Sequence, residues 1–214
     1  MGLASTSIYG IDGYIRPSTT VALQGNEARV NWINLCGNIG GSCNQWVQIG
    51  TYQGKNPNGG ASYTASHVFI ENNWGSCSYY SFADKGTLAN ANQAYYITST
   101  GGSTSGCGGT QHEFSFRKIS YTSSPIGYGY MASSAGQAIA ETELHVESRT
   151  LPQNTDYFGT NDSHVASASY GLHVQTSLGA GYYAWTTSQV SPAFANNPPS
   201  ITVLTAPWAF ATGP

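Results

Sequence analysis

Hydrophobic and polar residues alternate in short runs along the chain, and clusters of Gly, Ser, Asn and Pro separate one run from the next. Successive side chains of a β-strand point to opposite faces, so a period of two indicates a strand with one buried face. The 3.6-residue period of a helix is almost absent. The alternating runs predict strands at residues 14–16, 28–35, 45–51, 67–71, 79–82, 94–98, 113–119, 127–131, 140–148, 164–168, 172–176, 182–186 and 201–204.

Many short strands with turn signals between them are typical of two antiparallel sheets packed face to face. We therefore expect an all-β fold, a two-sheet antiparallel β-sandwich. No repeat or boundary divides the sequence, and 214 residues suit one large β domain, so residues 1–214 are predicted to form a single domain. Residues 1–7 are expected to be a flexible tail. The segments 55–60 (KNPNGG) and 101–109 (GGSTSGCGG) are expected to be loops or hairpin tips.

Charged residues make up only 8% of the chain, whereas ordinary proteins contain about 25%. A surface of hydroxyl and amide groups gains little charge when carboxylates are protonated, so the fold should resist acid unfolding. The net charge of −3 provides no basic surface for a nucleic acid. No apolar run is long enough to span a bilayer, so we expect no membrane partner.

The four cysteines, Cys36, Cys43, Cys77 and Cys107, form an even set that favours an oxidising, extracellular compartment. Cys36 and Cys43 enclose a short loop, and Cys77 with Cys107 would form the other bridge. Three pairings are possible, and the sequence does not choose among them. A zinc site is disfavoured because there is no C-x-x-C and no histidine pair at ligand spacing. We expect neither a metal nor a cofactor.

Three of the ten side-chain carboxylates fall within the predicted strand at residues 140–148. The strand period places Glu141, Glu143, His145 and Glu147 on one face. Titratable groups gathered in this way can form an acid–base site. They can equally be the solvated face of an antiparallel strand, and this segment alone leaves both interpretations open.

A second strand face is defined by Trp46, Gln48 and Tyr52, which alternate with the core residues Val47 and Ile49. Aromatic side chains around a few polar groups are typical of a binding face on a sandwich. The alternative is an aromatic ladder on a half-exposed sheet, with a solvated glutamine.

Several segments, taken together and in order, resemble the glutamic peptidase (eqolisin) family. The family has a W-V-G-I-D-G block, a loop with a cysteine, a Q-[TI]-G-T strand and later an A-E-[WF]-I-[VI]-E strand. The matching segments here are residues 13–18 (GYIRPS), 32–37 (WINLCG), 46–51 (WVQIGT), 142–147 (TELHVE), and 151–152 (LP) followed by 156–159 (DYFG). The resemblance implies a secreted, monomeric acid endopeptidase that acts on polypeptides without a cofactor.

The resemblance places the catalytic glutamine on Gln48 and the catalytic glutamate on Glu147. Glutamate can take a proton from water and later deliver it to the leaving nitrogen. The glutamine carbonyl can orient that water, and its NH2 group can donate to the oxyanion of the tetrahedral intermediate. The residues expected to bind substrate or support the site are Trp32, Trp46, Tyr52, Glu143, His145 and His67.

The chain departs from the family pattern in several positions. Cys36 replaces the aspartate of W-V-G-I-D-G. Residues 63–71 (YTASHVFIE) stand where the family has Y-x-A-W-Y-E-W-Y-P, so that Ser66 and Val68 replace a tryptophan and a glutamate of the family's substrate cleft. Residues 177–214 have no family counterpart and are expected to add extra strands or a rim. These departures put the substrate preference and the activity in question.

Two other classes of function remain open. The spacing of Glu141, Glu143 and Glu147 also resembles the E-x-D-x-x-x-E strand of laminarinase-like glycoside hydrolases. Those enzymes have a concanavalin A-like sandwich, a jelly roll of the lectin and glucanase type, which is the form of sandwich we expect here. Retaining chemistry needs outer carboxyl groups about 5–5.5 Å apart, which a straight strand does not provide. A non-catalytic module that binds carbohydrate or protein would also account for the fifteen tyrosines.

Overall fold

The computed structural model describes residues 2–3, 7–16, 23, 28–37, 43–55, 62–75, 80–87, 93–120, 122–145, 156–158, 173–181, 183–184, 190–191, 200–205 and 209–213. Regular structure in these ranges consists of strands, with no helix. Accordingly, none of the residues described contributes a helix that could cross a membrane.

The strands vary from two to fourteen residues in length. In chain order they are β1 (Gly2–Leu3), β2 (Gly10–Arg16), β3 (Ala28–Cys36), β4 (Trp46–Lys55), β5 (Ser62–Asn73), β6 (Tyr80–Thr87), β7 (Gln93–Gly106), β8 (Gly109–Lys118), β9 (Gly127–Met131), β10 (Gln137–His145), β11 (Asp156–Phe158), β12 (His173–Gln175), β13 (Tyr183–Ala184), β14 (Val190–Ser191), β15 (Ser200–Thr205) and β16 (Ala209–Gly213).

The strands form two antiparallel sheets. The seven-stranded sheet has the order β14-β1-β10-β3-β4-β5-β6. The nine-stranded sheet has the order β15-β16-β11-β2-β7-β8-β9, with β12 paired to β2 and β13 paired to β12. This arrangement confirms the predicted all-β fold with two antiparallel sheets.

The main core lies between the two sheets and follows from the alternation within each strand. In β4, Val47 and Ile49 are fully buried, whereas their neighbours Trp46 and Gln48 are half-buried. The inward residues belong to one apolar cluster, which includes Ile33, Leu35, Val47, Ile49, Val68 and Ile70 from the seven-stranded sheet and Ile11, Ile15, Tyr95, Ile97, Phe114, Phe116 and Met131 from the nine-stranded sheet. Because only every second residue of a strand points into this cluster, the residues between them form a second face of the seven-stranded sheet, outside the main core.

Residues 101–109, expected to be a loop or a hairpin tip, form the outer part of the β7–β8 hairpin and are mostly strand. β7 continues to Gly106, the turn consists of Cys107 and Gly108, and β8 begins at Gly109. Residues 101–105 are exposed, so this part of the hairpin has no buried face and no hydrophobic alternation to mark it. The predicted strand at residues 164–168 and most of the segment 55–60 lie outside the described residues.

One predicted disulfide is present between Cys36 and Cys43. It joins the last residue of β3 to the chain just before β4, where the Gly37 N–H also donates to the Gln45 carbonyl at 2.9 Å. Cys107 is disulfide-bonded as well. Its predicted partner, Cys77, lies outside the described residues.

Candidate active site on the seven-stranded sheet

The face of the seven-stranded sheet opposite the main core carries Gln48, and we call it the Gln48 face. Directly paired residues of an antiparallel sheet share a face, so the register defines its rows. One row crosses four strands through Asn34, Gln48, Glu71 and Phe82. The next row contains Trp32, Gly50, Phe69 and Asp84, and the row beyond it contains Val30, Tyr52, His67 and Thr87.

Aromatic side chains form a second apolar cluster on the Gln48 face. Tyr52 is at its centre and is only 1% exposed. Its ring lies 6.2 Å from that of Phe69 and 5.8 Å from that of Phe82, both in edge-on arrangements. The Phe69 and Phe82 rings stack at 5.4 Å. Apolar walls with few polar groups are the usual lining of a ligand-binding surface.

A hydrogen-bonded group of three side chains occupies the row next to this cluster. The Gln48 Nε2 donates to Glu71 Oε2 at 2.7 Å. The Trp46 Nε1 donates to the other carboxylate oxygen, Oε1, at 3.2 Å. Glu71 is 9% exposed, so its carboxylate is largely removed from water and is held by protein donors. The predicted catalytic glutamine is therefore bonded directly to an acid on the neighbouring strand.

Gly50 separates Trp32 from Phe69 within its row, and it leaves the middle of the row without a side chain. A Cβ at this position would lie 2.0 Å from the Asn31 carbonyl oxygen and 2.8 Å from the Trp32 Cα. These are backbone atoms that cannot move aside without shifting β3. Gly50 thus allows β3 and β4 to approach closely beside Gln48.

A second polar group lies at the β5–β6 side of the Gln48 face. The Tyr52 hydroxyl donates to Asp84 Oδ2 at 2.8 Å, and His67 Nδ1 lies 3.0 Å from the same oxygen. An ionised carboxylate only accepts, so Nδ1 carries the proton in this pair. The Thr87 hydroxyl lies 3.3 Å from His67 Nε2, and the Tyr63 ring stacks on the imidazole at 3.7 Å.

The hydrogen bonds change the acidity of both partners. Burial alone would raise the pKa of Asp84, but donation from the Gly86 N–H, Tyr52 and His67 outweighs it and holds that pKa below its ordinary 3.8. Burial, followed by the hydrogen bond to Asp84, raises the pKa of the Tyr52 hydroxyl. The pair is therefore an ionised acid with a neutral phenol over the ordinary pH range.

Several residues predicted for the site lie together on the Gln48 face. They are Gln48, Trp32, Trp46, Tyr52 and His67. Glu143 and His145 belong to β10, where the backbone register pairs them with Val30 and Ala28. The predicted catalytic Glu147 lies outside the described residues.

Glu71 and Asp84 are the two acids of this face that the sequence did not assign to the site. The signal for Glu71 was present, because His67, Phe69 and Glu71 alternate with the core residues Val68 and Ile70. Recognising it required the register between β4 and β5, which pairs Glu71 with Gln48. The described residues include no group of three His, Cys, Asp or Glu side chains that could hold a metal.

No family model matches the sequence, and no curated protein sequence matches it. Solved structures do match. A structure of scytalido-glutamic peptidase with a transition-state analogue inhibitor gives a TM-score of 0.54 at 11% identity, covering 99% of this chain and 94% of the other. The fold is similar to that of a glutamic peptidase.

Two further structures give related results. Scytalido-glutamic peptidase with a peptide-based transition-state analogue has a TM-score of 0.51 at 11% identity, over 99% of this chain and 95% of that one. SCP-B, a member of the eqolisin family of peptidases in complex with the tripeptide Ala-Ile-His, has a TM-score of 0.49 at 12% identity, over 99% and 94%. At such identities the likeness concerns the fold.

Proposed function

We propose that the protein is a secreted acid endopeptidase of the glutamic type, a divergent relative of the eqolisins, that hydrolyses polypeptides with Gln48 and Glu147. The observation that carries this proposal is the position of Gln48. The residue that the motif resemblance marks as catalytic lies beside an aromatic cluster, on one face of a sheet in a fold similar to scytalido-glutamic peptidase. Val68, which stands where the family has a glutamate, belongs to the main core and not to the Gln48 face. The residues of the Gln48 face would therefore set the substrate preference.

In the proposed reaction, Gln48 binds and polarises while the glutamate moves protons. The Gln48 carbonyl accepts a hydrogen bond from the attacking water, and its free N–H donates to the oxygen that becomes negative. Glu147 takes the water proton and delivers it to the leaving nitrogen. Neither a metal nor a covalent intermediate is required.

The assignment of Glu147 rests on the motif resemblance. β10 pairs with β3 in continuous register from Gln137 to His145. Ile139 falls in the row of Gln48 and Glu141 in the row of Trp32, and the strand then runs away from the Gln48 row. The motif resemblance assigns the acid two residues after His145. For the chemistry to work, its carboxylate must reach the substrate water within hydrogen-bond distance, directly or through one further water.

The setting of this reaction is proposed to be acidic and extracellular. The disulfides fit an oxidising compartment, and a chain with 8% charged residues gains little charge at low pH. We propose that residues 1–214 act as one monomeric domain. In it, residues 177–214 would add strands or a rim around the site.

The glycoside hydrolase alternative receives less support from β10. Its two outer acids, Glu141 and Glu147, would need to come within about 5–5.5 Å. The register between β10 and β3 shows no shift from Gln137 to His145, so the strand is extended over these residues and separates Glu141 from His145 by about 13 Å.

The test is digestion of casein at pH 3–5 by the wild type and by Gln48→Ala and Glu147→Gln. We expect cleavage by the wild type and a loss of about 10²–10³-fold in Gln48→Ala, because removing one oxyanion donor costs about that much. Glu147→Gln should lose about 10²–10⁴-fold, which is the usual contribution of a general acid–base residue. Glu113→Gln is the matched control, since Glu113 lies on β8 of the other sheet and bonds Thr100 and Tyr130. A wild type that cleaves nothing between pH 2 and 8 would rule out the peptidase and favour a binding module.

A further inference from the structure

Glu71 has no role in the reaction outlined above, although its carboxylate is the nearest acid to Gln48 among the described residues. Both of its oxygens accept hydrogen bonds, one from Gln48 and one from Trp46. The family segment that resembles residues 63–71 ends in proline where this chain has Glu71, so the resemblance assigns this position nothing.

The two ends of a glutamine amide are nearly equal in shape but opposite in hydrogen bonding, so the surrounding network decides which end points where. A carboxylate can only accept. Glu71 therefore fixes the NH2 end of Gln48 toward β5. One N–H of Gln48 is used in this bond, and the carbonyl oxygen and the second N–H are left for other partners.

These two remaining groups are the ones that the proposed reaction needs. If the amide were reversed, the carbonyl would meet the Glu71 carboxylate, and two acceptors would face each other in a largely buried place. We propose that Glu71 is a positioning residue, which holds the Gln48 amide so that its carbonyl receives the attacking water and its second N–H receives the oxyanion. This inference rests on the proposed function.

The hydrogen bond from Trp46 is a second reason why position 71 needs a carboxylate. A glutamine there would present one oxygen and one NH2 group to two donors, Gln48 and Trp46. In one of the two contacts, the new NH2 group would then face another hydrogen-bond donor. Glu71→Gln should thus disturb Gln48 despite having almost the same shape, and removal of the Trp46 donor should relieve the conflict.

The kinetic experiment compares Glu71→Gln, Trp46→Phe, the double variant and the control Glu113→Gln. We expect Glu71→Gln to lower kcat by about 10–100-fold, since a small misplacement of a catalytic group can cost about 10²-fold. Because Gln48 is used in the transition state more than in substrate binding, KM should change less than about threefold. The double variant should recover part of the lost kcat, as expected for coupled neighbours. Thermal melting of each variant checks that it is folded.

A second measurement does not depend on activity. In an NMR spectrum of the ¹⁵N-labelled protein, one of the two Gln48 side-chain amide protons should exchange slowly, because it is donated to Glu71. Glu71→Gln should change the exchange and the shift of that proton, whereas Glu113→Gln should leave both unaltered. Identical Gln48 resonances in Glu71→Gln and the wild type would overturn the positioning role.

The possible failures can be told apart. If the wild type and Glu71→Gln have the same kcat while Gln48→Ala is inactive, the role of Glu71 is wrong and the peptidase proposal stands. If the wild type cleaves no polypeptide, the proposed function and the catalytic role of Glu71 are both wrong.

Discussion

Ile119 follows the last residue of β8 and has a φ of 76°, in the left-handed region of the backbone. A β-branched side chain is strongly disfavoured there. The conformation is fixed by a hydrogen bond from the Ile119 N–H to the Ala94 carbonyl at 2.8 Å. The side chain is 66% exposed, so it gains little from burial in return.

Replacing Ile119 with glycine should therefore stabilise the protein. Strain of this kind costs about 1–3 kcal/mol, and the extra freedom of glycine in the unfolded chain removes about 0.5–1 kcal/mol of the gain. A net gain of about 1 kcal/mol would raise the Tm by roughly 2–4 °C in a chain of this size. Ile119→Val keeps the strain and should melt within about a degree of the wild type. A lower Tm for Ile119→Gly would show that the isoleucine side chain is needed.

The residues of the site differ in how far the sequence could identify them. Gln48, Trp46 and Tyr52 were predicted to share a face because a period of two fixes the direction of side chains within one strand. Glu71 was not identified, because its position beside Gln48 depends on the register of two strands. That register includes a shift between Tyr52 and Gly54 that no local pattern encodes.

The same distinction applies to whole elements. Strands with a buried face, such as β9, were predicted at their true bounds, because Gly129 and Met131 alternate with the more exposed Tyr128 and Tyr130. The outer half of the β7–β8 hairpin is predicted only as a loop or a hairpin tip, because it is rich in glycine and lacks hydrophobic alternation. Backbone pairing from Ser103–His112 to Gly106–Gly109 maintains the strands there. Backbone pairing of this kind does not depend on hydrophobic side chains, so the hydrophobic pattern of the sequence does not reveal it.

β3 and β4 depend on a single glycine for their close approach beside the site. Gly50→Ala would place a Cβ 2.0 Å from the Asn31 carbonyl oxygen, so the two strands must separate. Crowding of this kind costs about 1–3 kcal/mol, which corresponds to a Tm lowered by roughly 2–12 °C. We also expect lower peptidase activity, because Gln48 and Trp32 lie on the displaced strands.

Gly109→Ala is the matched control for this prediction. Gly109 is also a strand glycine, but a Cβ there would meet nothing within 4 Å. Its Tm should stay close to that of the wild type. A Gly50→Ala variant that melts with the control would show that β3 and β4 separate at little cost.

At the scale of the whole molecule, two sheets enclose an apolar core while few charges cover the surface. The chain has ten Asp and Glu residues in 214, so protonation changes its charge little. Acid unfolding results mainly from carboxylates that are bound more favourably when ionised in the folded state. Among the carboxyl groups that the structure describes, Asp84 has a clearly lowered pKa. Its hydrogen-bond partners Tyr52, His67 and Gly86 belong to β4, β5 and β6.

The pH dependence of stability should therefore change when Asp84 is replaced. A lowered folded-state pKa contributes stability that is fully present above the unfolded value, near 3.8, and is lost as the pH falls through the folded value. Asp84→Asn should accordingly be less stable than the wild type at pH 5–7, and the difference should narrow below about pH 4. Urea unfolding at pH 7, 5, 3.5 and 2 measures this difference in the free energy of unfolding, because each value is obtained at a fixed pH. Tyr52→Phe removes one donor to the carboxylate, so the folded-state pKa of Asp84 should move back toward 3.8. The loss of stability on acidification should then be smaller than in the wild type and should end at a higher pH. A difference between Asp84→Asn and the wild type that stays constant down to pH 2 would mean that Asp84 stabilises the fold by packing, and that its ionisation contributes nothing.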